Sequence, residues 1–142
     1  MSCLVLDASV VIKWLFAVRE QENDAHKAID LFEHIASRQV QVIQPTHWLV
    51  EVAAVIVMKS PATAEEDIFE LTKLSLDELG TSEAFVLATR LSIELKHHLF
   101  DTLYHAVALI LPEATLVTAD MRYFHKARQK GSIMLLRDLL LA

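Results

Sequence analysis

The sequence predicts an α/β fold: a mostly parallel sheet with helices on both faces. Short runs of β-forming residues alternate along the chain with longer stretches of helical spacing, taken singly or in pairs. Hydrophobic residues make up 54% of the 142 residues, above the roughly 45–50% usual even when Gly is counted. That excess suits a sheet covered on both sides, an apolar subunit interface, or both. Only two Gly and three Pro are present, which leaves little chain for long loops, and no internal repeat is apparent.

The elements follow in order. Cys3-Leu4-Val5-Leu6 is a buried strand that hands Asp7 to a helix over about Ala8–Ala17, with Ser9 near its start. A polar turn, Arg19 to Asn23, leads to a helix from about Asp24 to Arg38, with Ala28, Leu31, Phe32 and Ile35 on one face. Gln41–Gln44 is too short for anything but a strand and is closed by Pro45. Thr46 then caps a helix running through Met58, and Ser60-Pro61-Ala62-Thr63 breaks it. Thr63 with Glu66 has the capping-box pattern for a helix to about Leu74. Ser75–Leu79 reads as an edge strand ended by Gly80, followed by a helix from Ser82 to about Leu95. The connector Lys96-His97-His98 precedes a helix from Phe100 to Leu111, stopped by Pro112. Leu116–Thr118 is the next strand, Met121–Arg128 a helix, and Ile133–Leu135 a last strand. The order of strands in the sheet is not legible from this pattern.

A chain of this length is expected to form one domain, 1–142, burying roughly two-thirds of its unfolded surface. Cys3 is the only cysteine, so a disulfide within the chain is excluded and a reducing compartment is expected. Asp7 and Lys13 interrupt the apolar start, and no basic leader precedes it, so neither a signal peptide nor a membrane span is expected. A cytoplasmic location follows from those readings. The net charge of −6 does not advertise nucleic-acid binding, but the distribution is uneven. Residues 61–83 hold seven acids against Lys73 alone and read as an exposed helical hairpin. Residues 121–137 hold Arg122, Lys126, Arg128, Lys130 and Arg137 with no acid. A phosphate-bearing partner can use that second stretch despite the overall sign.

Four carboxylates stand alone in apolar surroundings. Asp7 is the only charge before Ile12, Glu51 the only one from Thr46 to Met58, and Asp101 the only one from Leu99 to Leu111. Asp120 directly follows the strand ending at Thr118. A helix apolar on nearly every face, like that carrying Glu51, is expected to be buried. An unpaired buried carboxylate costs several kcal/mol, so each acid needs a cation, a base or backbone donors. Four separate caps or ion pairs would satisfy them one by one. Convergence would instead raise their pKa values and force protons onto some of them. A divalent cation removes that conflict, and all-oxygen ligation without thiolate selects Mg2+ or Mn2+. Such an ion activates water for metal-assisted phosphodiester hydrolysis. Thr118 and Ser9 are the hydroxyls placed to hold that water or a carboxylate.

Leu6-Asp7-Ala8-Ser9-Val10-Val11-Ile12-Lys13-Trp14, Glu51 on its apolar helix, Phe100-Asp101-Thr102-Leu103-Tyr104-His105-Ala106 and Val117-Thr118-Ala119-Asp120 together resemble the PIN-domain nucleases. Within that family the chain is most similar to the VapC-type toxins of toxin–antitoxin pairs, over essentially its whole length. The resemblance implies a three-layer α/β/α fold and a Mg2+- or Mn2+-dependent endoribonuclease. It also implies Asp7, Glu51, Asp101 and Asp120 as the acidic quartet, Thr118 as its supporting hydroxyl, an RNA substrate, a homodimer, and an antitoxin that blocks the site. The chain has Thr102 where the family often has Ala.

Other readings compete. His97, Asp101 and His105 fall four residues apart and, with His98, suggest zinc. They align only if the helix begins by His97, and the connector argues against that. On the opposing view His105 is partly buried near Asp101, while His97 and His98 are exposed. An aspartyl-phosphate enzyme would want a second Asp where Ser9 stands, and a receiver-type phosphoacceptor an acidic pair and a lysine that are missing. A non-catalytic module that holds RNA or a protein is the remaining alternative. Trp14, Phe16, Trp48, Phe85 and Tyr104 read as core or interface aromatics.

Overall fold

The computed structural model describes residues 3–20 and 24–141. Five strands form a single sheet: β1 (Cys3–Leu6), β2 (Gln41–Pro45), β3 (Asp77–Leu79), β4 (Ala114–Thr118) and β5 (Ile133–Leu135). Their spatial order is β3-β2-β1-β4-β5, and all four pairings are parallel. The sheet is thus wholly parallel, with the predicted edge strand at its edge. Every residue of β1 is buried, as are Leu116, Val117 and Thr118 of β4. Strands buried on alternate residues in both directions need cover on both faces, and the helices supply it.

The helices are α1 (Ala8–Glu20), α2 (Ala25–Ala36), α3 (Trp48–Lys59), α4 (Ala64–Thr72), α5 (Ser82–Leu95), α6 (Leu99–Ile110) and α7 (Met121–Ala127). Helix α1 packs on β1 and β4 and carries α2 and α3, while α6 lies across β1, β2 and β4 and is backed by α5. The predicted turn at Arg19 begins later, since α1 runs to Glu20; residues 21–23 of that turn lie outside the described residues. Among the described residues no helix is long and apolar enough to cross a membrane.

Three local expectations are corrected. The helix α3 is flanked by His47 rather than capped by Thr46. The hydroxyl of Thr63 donates to Asp67 (2.9 Å) instead of accepting from the helix, so no capping box forms. Side-chain caps do form at α5, where Thr81 accepts from the Ala84 N–H, and at α7, where Asp120 accepts from the Tyr123 N–H (3.1 Å). The acidic stretch 61–83 is not a helical hairpin but α4 followed by the edge strand. Gly80 follows β3, and a side chain there would crowd its neighbour: a Cβ would lie 2.6 Å from Thr46 Cγ2.

Helix α3 is not buried all round. Trp48, Val52 and Ile56 face the core, but Val50, Val57 and Met58 are exposed, as are Phe69 on α4 and Phe85 and Ile93 on α5. The hydrophobic excess is therefore spent partly on the core and partly on exposed apolar side chains.

Candidate metal centre

Parallel strands end on the same side of a sheet, so the residues after β1, β2 and β4 share one edge. Asp7 follows β1, Asp120 follows β4, and Glu51 lies in the first turn of α3, just after β2. Asp101 arrives by another route. Helix α6 runs back against the strands before a short turn into β4, which brings its first turn to the strands' carboxyl edge. The connection from β1 leads to β2 on one side, whereas β4 lies on the other. This is the crevice at which open α/β sheets bind ligands.

Asp7 is held by three donors from two residues. The Ser9 hydroxyl donates to Oδ2 at 2.5 Å, the Ser9 N–H at 3.2 Å and the Thr118 hydroxyl at 3.3 Å. Ser9 Oγ also accepts from the Ala119 N–H (2.9 Å), and Thr118 Oγ1 from the Asp120 N–H (3.0 Å). The two hydroxyls named from the sequence therefore tie the ends of β1 and β4 together at the carboxylate. Even so, burial pushes Asp7 up to about 7. Its Ser9 hydrogen bonds hold it down, and the charges of Asp101 and Glu51 push it further up. Asp101 is likewise raised, by burial first and by Glu51 and Asp120, against the lowering bond from His97.

Glu51 has a buried oxygen, Oε2, without a hydrogen bond among the described residues. His47 Nε2 lies 3.0 Å away, within ion-pair reach, and donates to the Phe100 carbonyl at 3.1 Å. Tyr104 is fully buried beside them, its hydroxyl also unpartnered. Burial and the charges of Glu51, Asp7 and Asp101 hold its phenol well above the usual range. One side chain thus senses three of the four acids.

His97 completes the centre, although the sequence pairs it with Asp101 only for zinc and otherwise reads it as exposed. Its side chain is 8% exposed, which corrects the expectation of an exposed residue, and Nε2 lies 2.7 Å from Asp101 Oδ2. Lys126 Nζ approaches Nδ1 at 3.2 Å. An ammonium can only donate, so Nδ1 accepts and Nε2 carries the proton given to Asp101. His97 then orients Asp101 rather than offering a free lone pair. Ligand atoms of His97, Asp101 and Asp120 all lie within 4.8 Å of one another; with both ring nitrogens of His97 engaged, the carboxylates of Asp101 and Asp120 are the ligands this group offers, and Asp7 and Glu51 are not in it. The connector residue does precede the helix, as expected, yet its ring folds back onto the first turn. His105 is corrected in the other direction. It is fully buried, accepts from the Tyr123 hydroxyl (2.9 Å) and donates to the Gly131 carbonyl (2.8 Å). It braces α7 and does not touch Asp101.

The donor set suits a hard divalent cation. The four acids offer oxygen, one of those oxygens, Glu51 Oε2, is buried without a hydrogen bond, and a second acid, Asp7, has its ionised form suppressed by burial first and by its neighbours' charge after that. A cation would relieve both strains. One further residue was missed. Gln44, completely buried, accepts from the Leu6 N–H (2.7 Å) and donates to the Leu6 carbonyl (2.9 Å). Its side chain replaces the β1–β2 ladder where the strands part, opening the edge next to Asp7. A glutamine inside a four-residue strand is the only trace of this in the sequence.

No family model matches the chain, and no curated protein matches its sequence. Among solved structures it is similar to a chain in the crystal structure of VapBC2 from Rickettsia felis bound to a DNA fragment from their promoter. The two share 14% identity with a TM-score of 0.61, over 94% of this chain and 96% of that one. The likeness establishes the fold as PIN-like, an all-parallel five-stranded sheet flanked by helices.

Proposed function

We propose that the chain, as one PIN-like domain over 1–142, is a toxin-type endoribonuclease that hydrolyses RNA phosphodiesters with Mg2+ or Mn2+ held by Asp7, Glu51, Asp101 and Asp120. The observation that carries this reading is the gathering of acids at one edge of the sheet, where burial and then the charges of Asp101 and Glu51 raise Asp7 to about 7 and where Asp101 and Asp120 lie within 4.8 Å of each other. A bound ion supplies a water of lowered pKa and neutralises charge on the phosphodiester. Ser9 and Thr118 fix the Asp7 carboxylate, and His97 with Lys126 fixes Asp101. The fold shared with a VapBC2 chain supports an antitoxin as partner. The exposed Val50, Met58 and Ile93 support a homodimer, in a cytoplasmic setting.

The test is cleavage of single-stranded RNA by purified, antitoxin-free protein with Mn2+ or Mg2+. Activity is expected in the wild type and should vanish in Asp7→Asn and Asp101→Asn. Cleavage that survives both substitutions removes the proposal. Metal-dependent RNA binding without cleavage favours the non-catalytic module instead.

A further inference from the structure

On the far side of His97 from the carboxylates, a cavity of about 470 Å³ opens between the α5–α6 turn and α7. Its lining includes Lys96, His97, His98, Arg122 and Lys126 and contains no carboxylate. That concentration of cations is unusual for a chain of net charge −6. Lys126 is positioned rather than free: Nζ donates to the Lys96 carbonyl (3.2 Å) as well as to His97. Lys96 and Arg122 form no ion pair among the described residues. Lys96 is held there by backbone in the left-handed region, φ 52°, at the end of α5. The Ser92 hydroxyl braces the same turn through the His97 carbonyl (2.5 Å).

We propose that this pocket is a phosphate subsite, seating the phosphodiester next to the one at the metal centre on a single RNA strand. The proposal rests on the ribonuclease reading of that centre. The two sites share His97, so an RNA backbone leaving the carboxylates passes directly over Arg122 and Lys96. Arg122 offers a planar fork of N–H groups suited to phosphate oxygens, and Lys96 a mobile point charge. An acidic group of a protein would need the same cations, but regularly spaced anions on one strand account for an anion site directly abutting a phosphodiester-cutting centre. The subsite supplies affinity that the acidic centre by itself opposes, and it does so without reading bases.

The experiment measures binding of a fluorescein-labelled single-stranded RNA by anisotropy in EDTA, where no cutting occurs, across a salt series. Lys96→Ala/Arg122→Ala is compared with Arg38→Ala/Lys73→Ala, which removes the same charge near the amino ends of β2 and β3. Each lost phosphate contact on a single strand lowers the log–log salt slope by about 0.7. The pocket seats one phosphodiester, so its variant should lose a slope of about 0.7 and bind about fivefold more weakly at 0.1 M salt. Its Mn2+ affinity by calorimetry should stay within about twofold, because the Lys126–His97–Asp101 chain is untouched. Equal losses in the two double variants, or none in the pocket variant, overturn the proposal. So does a pocket that binds a poly-glutamate peptide in preference to RNA. Pocket-dependent RNA binding in a wild type that never cuts RNA with Mn2+ refutes the ribonuclease reading while leaving the anion site standing.

Discussion

Replacing Asp7 by Asn should make the metal-free protein more stable and at the same time remove its response to metal. The folded-state pKa of Asp7, about 7, exceeds its ordinary 3.8 chiefly because the carboxylate is buried. Between those values the folded protein retains a proton that the unfolded chain has released, so stability is lost as pH rises through the window. At about 1.4 kcal/mol per tenfold change in proton affinity, the full penalty above pH 8 is about 4 kcal/mol. At pH 5 it shrinks to about 1.5 kcal/mol by the same linkage. Asn is neutral and presents an oxygen to the same Ser9 and Thr118 donors, so Asp7→Asn recovers most of that energy. For a chain of this size a gain of that order raises Tm by about 10 °C at pH 8 and by much less at pH 5. Differential scanning fluorimetry in EDTA, with and without excess Mn2+, measures both effects. Wild type at about 100-fold excess over Kd should gain about 2.7 kcal/mol from the ion, and the variant nothing. A variant that is less stable than wild type at pH 8 in EDTA refutes the reasoning, as does one that still responds to Mn2+.

The other predictions concern the groups that hold the acids in place. His97→Ala frees Asp101 from its 2.7 Å bond and should weaken Mn2+ binding by about tenfold in calorimetry, since partners of ligating groups are typically worth about 10–100-fold. Ser9→Ala removes the 2.5 Å bond to Asp7; a bond to a charged group is worth about 1.5–3 kcal/mol, so the pH at half-maximal Mn2+ binding should rise by about one unit. Gln44→Leu strands the N–H and carbonyl of Leu6 in the interior and should cost about 2–4 kcal/mol in urea unfolding, equally at pH 5 and pH 8. A loss below about 0.5 kcal/mol would mean that β1 and β2 close their ladder without it.

Much of this molecule is written locally. Apolar strands ending in Asp7 and before Asp120, and Asp101 in the first turn of an apolar helix, are patterns of a few neighbouring residues, and their positions in the fold match that pattern. The side-chain folding of His97 is not local: a polar residue in a polar connector carries no periodicity to show that its ring returns to Asp101. Gln44 is silent for a similar reason, since its partner, Leu6, lies 38 residues away. The capping box at Thr63 failed because Asp67, one turn on, competes for the hydroxyl. The exposed Val50, Val57 and Met58 could not be told from core by composition, because an interface and an interior use the same residue types.

The measurement closest to the central claim is anomalous diffraction from crystals soaked in Mn2+ near pH 8. The account predicts a peak at the carboxyl edge of β1 and β4, within about 2.0–2.3 Å of oxygens from Asp7 and at least one of Glu51, Asp101 and Asp120. A saturating soak that leaves this edge empty, or that places the ion out of reach of Asp7, contradicts it.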